Sequence, residues 1–87
     1  MQGSHFAERV REVVRHIPKG SVRTYGEVAA AVGHPGAARA VGTVMKHNFD
    51  NSVPCHRVVK AGGKVGAYNR GGEERKRELL RSEGVML

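Results

Sequence analysis

Cysteine and aromatic residues are scarce in this 87-residue chain, which has one Cys, no Trp, two Phe and two Tyr. A single cysteine excludes an internal disulfide. With so few rings, each aromatic residue near a motif needs a reason for being there. No segment resembles a secretory signal or a membrane span. We therefore expect an intracellular protein, cytoplasmic (nucleoid-associated) or nuclear, whose thiol stays reduced.

Acidic residues are also few. Eight Asp and Glu oppose fifteen Lys and Arg, so the formal net charge is +7. This excess favours a polyanionic partner, most simply nucleic acid, although a basic surface can also serve solubility only. A chain of this length builds one modest core. We predict a single domain over residues 1–87, with a disordered end at residues 1–5.

The spacing of apolar residues predicts two helices in the first part of the chain. Apolar side chains recur at helical intervals between Phe6 and Ile17, and Ser4 is the predicted N-cap of this first helix. Thr24 and Glu27 form a capping-box pattern at the start of the second helix, and Gly33 marks its end.

The following segments predict a helix-turn-helix and then β structure. The turn "HPG" leads into a third helix over residues 37–47, whose face carries mostly small residues. "HRVVK", the turn "AGGK" and "VGAY" predict a two-stranded hairpin. A charged last helix, with Leu79 and Leu80 toward the core, ends at Gly84. The predicted fold class is mostly α: a winged helix-turn-helix-like domain with a short β-ribbon.

The stretch "VPCHRVV" holds the single thiol, Cys55, whose role the local sequence leaves open. Free cysteine is among the most buried residue types, so a core position is one expectation. Pro54 before it, and the positive potential of His56 and Arg57 after it, favour a presented thiolate nucleophile. A metal site is disfavoured because the histidines show no ligand spacing. In an extended segment adjacent side chains point to opposite faces, so we expect His56 to act on Cys55 through a water.

Taken together, the motifs resemble the O6-alkylguanine-DNA alkyltransferase family. "PCHRVV" followed by "VGAY…GG…K..LL..EG" is similar to the family's active-site segment, and "TYGEVA" and "ARAVGTVMKHN" are similar to the part upstream of it. The likeness runs from about residue 9 to residue 84, in the family's order. It covers the C-terminal, DNA-binding and active-site domain of that family.

The resemblance implies a DNA repair function. Such proteins bind double-stranded DNA through a helix-turn-helix, rotate O6-alkylguanine out of the stack, and transfer its alkyl group irreversibly to a cysteine. Each molecule acts once. The resemblance further implies that the chain works as a monomer, with no cofactor, no metal and no membrane, and that its partner is double-stranded DNA carrying O6-alkylguanine.

The resemblance also assigns catalytic residues. Cys55 matches the alkyl acceptor, His56 the residue that takes the cysteine proton through a water, and Glu83 the carboxylate that orients His56. Asn48 matches the asparagine that supports the active-site turn. Tyr25 matches the tyrosine that contacts the flipped guanine and donates a proton as the base leaves.

A second set of residues is assigned to DNA and the base. Arg39 matches the arginine that fills the gap left by the flipped nucleotide. The full set assigned to substrate or DNA binding is Tyr25, Arg39, Ala38, Ala40, Gly42, Arg57, Val58 and Asn69. Several members have an ordinary structural alternative: Tyr25 as an edge of the core and Arg39 as part of a solvated helix face. The same holds for Glu83 as a surface carboxylate and Asn48 as a helix C-cap.

Two segments depart from the family pattern. "FDNS", residues 49–52, is polar and one residue shorter than the family's usual apolar segment. "NRGG", residues 69–72, is one residue longer than the family's usual loop. Asn69 or Arg70 is therefore expected to take over the family's backbone contact to the guanine O6. A sister group, the alkyltransferase-like proteins, binds lesions without transfer and replaces the cysteine. Such a lesion-binding protein is the main alternative function, and a plain winged-helix regulator is the third.

Overall fold

The computed structural model describes residues 2–86, with side chains from residue 5 onward. Its elements in chain order are α1 Gln2–Arg15, β1 Arg23–Thr24, α2 Tyr25–Ala31, α3 Ala38–Lys46, β2 Val58–Val59 and α4 Gly72–Ser82, with turns of 3-10 helix at Cys55–Arg57 and Ala61–Gly63. The mostly α, helix-turn-helix-like class predicted from the sequence is confirmed. None of the helices within residues 2–86 is long and apolar enough to cross a membrane.

Helix α1 packs its apolar stripe into the main core. Val10 and Val14 are fully buried, and Ile17, just beyond the helix end, is buried with them. The helix begins at Gln2, so Ser4 lies inside it and the predicted N-cap at Ser4 is wrong. Residues 2–5, assigned from the sequence to a disordered end, belong to the first turns of this helix.

The α2–α3 pair is the helix-turn-helix expected from the sequence. The capping box is confirmed: the Glu27 N–H donates to Thr24 Oγ1 (3.0 Å), and the Thr24 N–H donates to Glu27 Oε1 (2.7 Å). Gly33 follows the C-cap with φ of +87°, a conformation that L side chains rarely adopt. The connection between the helices spans residues 32–37 and is longer than the predicted three-residue turn.

The β structure differs from the predicted hairpin. Strand β2 pairs in parallel with β1, Arg23 opposite Val58 and Thr24 opposite Val59. Among the described residues, 65–68 form no strand; Lys60 N–H donates to the Lys64 carbonyl (2.9 Å), and the chain then bends away at Gly66 with φ of +82°. The β-ribbon is therefore a two-residue parallel pair that ties the middle of the chain to the start of α2.

Helix α4 presents an unusual inner face. Leu80 is fully buried, as predicted, but Leu79 is only partly buried, and the second fully enclosed residue is Lys76. Positions 76 and 80 are one helical turn apart and therefore share a face. Gly84, with φ of +91°, closes the helix, and Val85 N–H donates to the Leu80 carbonyl (3.0 Å).

Candidate active site

Cys55 lies at the start of a tight turn between the core and a cavity. Its N–H donates to the Val53 carbonyl (2.8 Å), and the Arg57 N–H donates to the Pro54 carbonyl (2.9 Å). The second of these bonds, together with the bond from the Val58 N–H to the Cys55 carbonyl, forms the 3-10 turn Cys55–Arg57, so the segment is not extended as assumed from the sequence. The thiol is free and nearly buried, with 6% of the residue exposed.

The next two residues converge on one carboxylate, Glu83, the C-cap of α4. His56 Nε2 lies 2.8 Å from Glu83 Oε2. Arg57 donates through Nε to Oε1 and through Nη2 to Oε2, both at 2.9 Å, and through Nη1 to the Ile17 carbonyl at 2.8 Å. The hydrogen bonds from Arg57, and then those from His56, lower the pKa of Glu83 to about 2 against the cost of its burial.

This cluster determines which nitrogen of His56 carries the proton. Glu83 is ionised at neutral pH and can only accept, so Nε2 must donate, and a neutral ring then has Nδ1 as its acceptor. Among the described residues His56 makes no hydrogen bond to the Cys55 sulfur. The arrangement therefore suits a base that reaches the thiol through an intervening water, as expected from the sequence.

Tyr25 stands on the other side of Cys55, at the start of α2. Its hydroxyl accepts a hydrogen bond from Lys76 Nζ (3.2 Å), which also donates to the Ala67 carbonyl (3.1 Å). Burial raises the pKa of Tyr25, and the nearby Cys55 sulfur raises it further. Burial lowers the pKa of Lys76 to about 8. Tyr25 is therefore a neutral phenol held against the buried ammonium group of Lys76.

A cavity of about 680 Å³ joins Cys55 to the helix-turn-helix. Its wall contains the thiol, the two tyrosines and one side of α3. The lining residues are Tyr25, Ala38, Arg39, Gly42, Thr43, Met45, Lys46, Cys55, Lys60, Ala67, Tyr68 and Asn69. Its volume is in the range of ligand pockets, roughly 300–1,000 Å³. A base extruded from DNA that rests on α3 could enter it.

A second, more polar cavity of about 510 Å³ reaches Cys55 from behind. His56 lines it together with Cys55, and its rim carries Arg15, Arg57, Arg70 and Arg75. A space that touches both the thiol and the imidazole has room for a bridging water.

The structure brings together most, but not all, of the residues assigned from the sequence. Cys55, Tyr25, Arg39, Ala38, Gly42 and Asn69 line the larger cavity, and His56 and Glu83 stand behind the thiol. Three other members lie elsewhere. Ala40 is on the exposed side of α3, Val58 is fully buried in β2, and Arg57 is held by Glu83.

Asn48 and Asn69 divide the supporting role in an unexpected way. Asn48 is buried, and among the described residues its side chain donates only a long bond to the Asp50 carbonyl (3.4 Å). Asn69 Nδ2 instead lies within hydrogen-bond distance of three carbonyls at the end of α3, those of Met45 (3.2 Å), Lys46 (2.8 Å) and Asn48 (2.8 Å). The longer "NRGG" loop thus ties the cavity wall to α3, a role that the sequence did not reveal.

The polar "FDNS" segment forms a defined turn before Val53. Asp50 Oδ1 accepts from the Ser52 N–H (2.9 Å) and from Ser52 Oγ (2.8 Å), and Asp50 Oδ2 pairs with Arg15 Nη2 (3.5 Å). The backbone bond from Ser52 is the main cause that lowers the pKa of Asp50. Polar side chains here replace apolar packing with local hydrogen bonds and still lead a buried Val53 into the Cys55 turn.

Within residues 2–86, no three His, Cys, Asp or Glu side chains form a group that could hold a metal ion. The chemistry available to this site is that of a thiol, an imidazole–carboxylate pair, a phenol and an amine.

Comparison with known proteins identifies the family of this chain. The family described as "6-O-methylguanine DNA methyltransferase, DNA binding domain" matches residues 5–85. The chain belongs to this family. The resemblance drawn from PCHRVV and its neighbours is confirmed at that level.

Two curated relatives are close to half identical to this chain in sequence. The methylated-DNA–protein-cysteine methyltransferase of Mycolicibacterium paratuberculosis is 49% identical over 84 residues, which are 95% of this chain and 50% of that protein. The protein of the same name from Salmonella typhimurium is 46% identical over 86 residues, 98% of this chain and 50% of its own length. The chain spans about half the length of the curated relatives it matches.

Two of the solved structures similar to this chain contain DNA. Mycobacterium tuberculosis OGT in complex with DNA superposes with a TM-score of 0.84 at 51% identity, covering 90% of this chain and 48% of that one. S. pombe Atl1, in complex with damaged DNA containing O6-carboxymethylguanine, gives a TM-score of 0.85 at 40% identity, covering 95% of this chain and 79% of that one.

Proposed function

We propose that this chain repairs DNA by transferring the alkyl group of an O6-alkylguanine to Cys55. One observation carries the proposal. The thiol shares the wall of the larger cavity with α3, while His56, held by Glu83, stands next to it in sequence and behind it in space. We further propose that the chain is the DNA-binding and active-site half of its longer relatives, the C-terminal half in the family pattern.

The first step activates the nucleophile. Glu83 holds the Nε2–H of His56, so Nδ1 can take the Cys55 proton through a water in the rear cavity. The Arg57 fork holds the carboxylate in place. Activation of this kind matters because the thiolate, not the thiol, attacks an alkyl carbon.

The second step breaks the bond to guanine. The Cys55 sulfur forms a bond to the alkyl carbon as the bond from that carbon to O6 breaks, and the electron pair goes to the base. Tyr25 lines the same cavity and is kept protonated by its burial, so it can donate its proton to the departing guanine. The products are an S-alkyl cysteine and a neutral guanine, and the thioether makes the reaction single-turnover.

DNA would approach along α3. The small side chains of Ala38 and Gly42 allow a close contact, and the exposed Arg39 can enter the gap left by a flipped base. Flipping costs a few kcal/mol. The net charge of +7 favours phosphate contacts, which do not depend on base sequence. We further propose that the chain acts as a monomer wherever genomic DNA lies, in the nucleoid or the nucleus.

Lesion binding without transfer is the second candidate. It is favoured by the close superposition with Atl1, of which the chain covers 79%, in complex with DNA containing O6-carboxymethylguanine. The free thiol on the cavity wall favours transfer over this alternative.

A comparison of wild type with Cys55→Ser separates the two functions. Both proteins are mixed with a duplex that contains one O6-methylguanine, and both binding and restored guanine are measured. Transfer predicts that both bind the lesion but that only wild type restores guanine. Equal binding with the lesion left intact by both proteins would support the lesion-binding function and contradict transfer.

A further inference from the structure

Lys76 is the one lysine on the inner face of α4, and it is 1% exposed. Buried ammonium groups are normally paired with a carboxylate, because an unpaired buried charge is costly. Among the described residues, however, no carboxylate lies within ion-pair distance of Lys76; its partners are the Tyr25 hydroxyl and the Ala67 carbonyl. Retaining a buried cation beside a neutral phenol therefore calls for an explanation.

The hydrogen-bond chemistry of this pair has a direction. An ammonium group can only donate, so the Tyr25 oxygen must accept from Lys76 Nζ. The hydrogen of the Tyr25 hydroxyl is then left for another acceptor, and Tyr25 lines the cavity that also contains the Cys55 thiol. Lys76 Nζ also lies 5.5 Å from the centre of the Tyr25 ring.

We infer that Lys76 is a positioning residue that aims the Tyr25 O–H into the cavity and returns the proton that Tyr25 gives to the leaving base. This inference rests on the proposed transfer function. The proton balance is closed: Tyr25 gives its proton to the guanine anion, Lys76 gives one to the tyrosinate, and a neutral amine remains. Lys76 is reprotonated later from solvent.

The surroundings of Lys76 suit a group that gives up its proton. Burial lowers its pKa to about 8, while the Cys55 sulfur from the catalytic turn and Glu73 from the first turn of α4 oppose this effect, and Lys60 adds to it. Tyr25 from α2 is the remaining titratable group in contact. The ammonium is thus the main form at neutral pH, and the neutral amine is a form that a buried site tolerates.

The test is a double-mutant cycle on the alkyl-transfer rate. Lys76→Met keeps the length of the side chain without its charge, and Tyr25→Phe removes the hydroxyl through which Lys76 is inferred to act. Lys76→Gln serves as a second variant if the methionine form does not fold, and Lys19→Met, at an exposed site, is the matched control. We measure single-turnover transfer from an O6-methylguanine duplex, and binding to that duplex, from about pH 6 to pH 10. This window extends roughly two pH units on either side of the Lys76 pKa.

The inference predicts that Lys76→Met slows transfer about 100-fold, at the lower end of the range of general acid effects, with little change in binding. In wild type the rate falls as pH rises through about 8, and the variant lacks that fall. Adding Lys76→Met to Tyr25→Phe causes no further loss, because the two residues act as one unit.

Two results separate the failure of this inference from failure of the proposed function. If wild type transfers nothing, the proposed function fails and the inference with it. If wild type transfers and Lys76→Met matches it in rate and pH profile, only the inference fails. Additive losses in the double variant would also overturn it, since they would indicate a purely structural lysine.

Discussion

The two sides of Cys55 handle buried charge in opposite ways. Behind the thiol, the Glu83 carboxylate is enclosed by a two-point bond from Arg57 and a third contact from His56, so each charge has a partner. In front of it, the hydrogen-bond partners of Lys76 among the described residues are a hydroxyl and a carbonyl. Within the rear cluster of Glu83, Arg57 and His56, the charges neutralise one another. The front pair, Lys76 and Tyr25, carries a positive charge that a negative charge in the cavity would complement.

This contrast explains why the two sides suit different steps. A fully paired carboxylate fixes the orientation and tautomer of His56, which is what removal of a proton from the thiol requires. An ammonium without a counter-ion is at its most useful when a base leaves as an anion beside it. Cys55 lies where both effects meet.

Breaking the rear cluster is expected to give the largest effect. Glu83→Gln leaves the Arg57 and His56 side chains without a carboxylate, so we expect a loss of about 2–4 kcal/mol in the free energy of unfolding and a loss of about 100-fold in transfer rate. Denaturant unfolding and single-turnover transfer measure the two losses. Glu78→Gln on the exposed face of α4 is the control, and equal behaviour of the two variants would contradict the role of Glu83.

The front pair predicts a distinctive dependence of stability on pH. The pKa of Lys76 is lowered from 10.5 to about 8 on folding, so between these values the unfolded chain binds more protons than the folded one. Its contribution to the free energy of unfolding therefore rises with pH across that window, by on the order of 3 kcal/mol in total. Denaturant unfolding from pH 7.5 to pH 10.5, a range set around those two pKa values, should show this rise in wild type but not in Lys76→Met. The same slope in both proteins would show that Lys76 is not buried as described.

The rear cluster predicts the opposite window. The pKa of Glu83 falls from 4.5 to about 2 on folding, so its contribution is present above pH 4.5 and is lost as the pH falls toward 2. Glu83→Gln should therefore lose less stability than wild type over that acid range, as followed by thermal unfolding. A parallel loss in both proteins would contradict the ion-paired state of Glu83.

Arg39→Ala should have the smallest effect, and only on DNA binding. Arg39 is exposed and lines the cavity mouth, so its removal should leave the folding transition unchanged and weaken binding to a lesion duplex about tenfold. Fluorescence anisotropy with lesion and undamaged duplexes measures this, with Arg81→Ala on exposed α4 as the control. Equal weakening on both duplexes would indicate a plain DNA-binding protein without lesion preference.

Local chemistry explains which parts of the fold could be predicted from the sequence. The Thr24–Glu27 capping box and the stop at Gly33 are signals within a few residues of each other. The partner of Val58–Val59 could not be predicted in this way, because it is a two-residue strand 35 positions earlier at Arg23–Thr24. The Gly-rich "AGGK" suggested a hairpin, but Ala61–Gly63 forms a turn of 3-10 helix and residues 65–68 form no return strand.

In the site, too, some residues could be predicted from the sequence and others could not. Cys55, His56 and Glu83 could be assigned because the resemblance keeps them in order, and the structure places His56 and Glu83 in contact. Lys76 belongs to the motif "K..LL..EG" of the resemblance, but it was assigned no role because its burial is not visible within the charged run "EERKRELLRSE". Its spacing of four residues from the buried Leu80 was the available signal.

Peptide mass spectrometry of Cys55 tests the central claim most directly. The chain is incubated with excess duplex that contains O6-methylguanine. Samples taken over time are digested, and the mass of each peptide is measured. We predict one methyl group per chain, located on Cys55, with an equal amount of guanine restored and no further reaction on longer incubation. An unmodified Cys55 on a chain that remains bound to intact lesion would contradict the account.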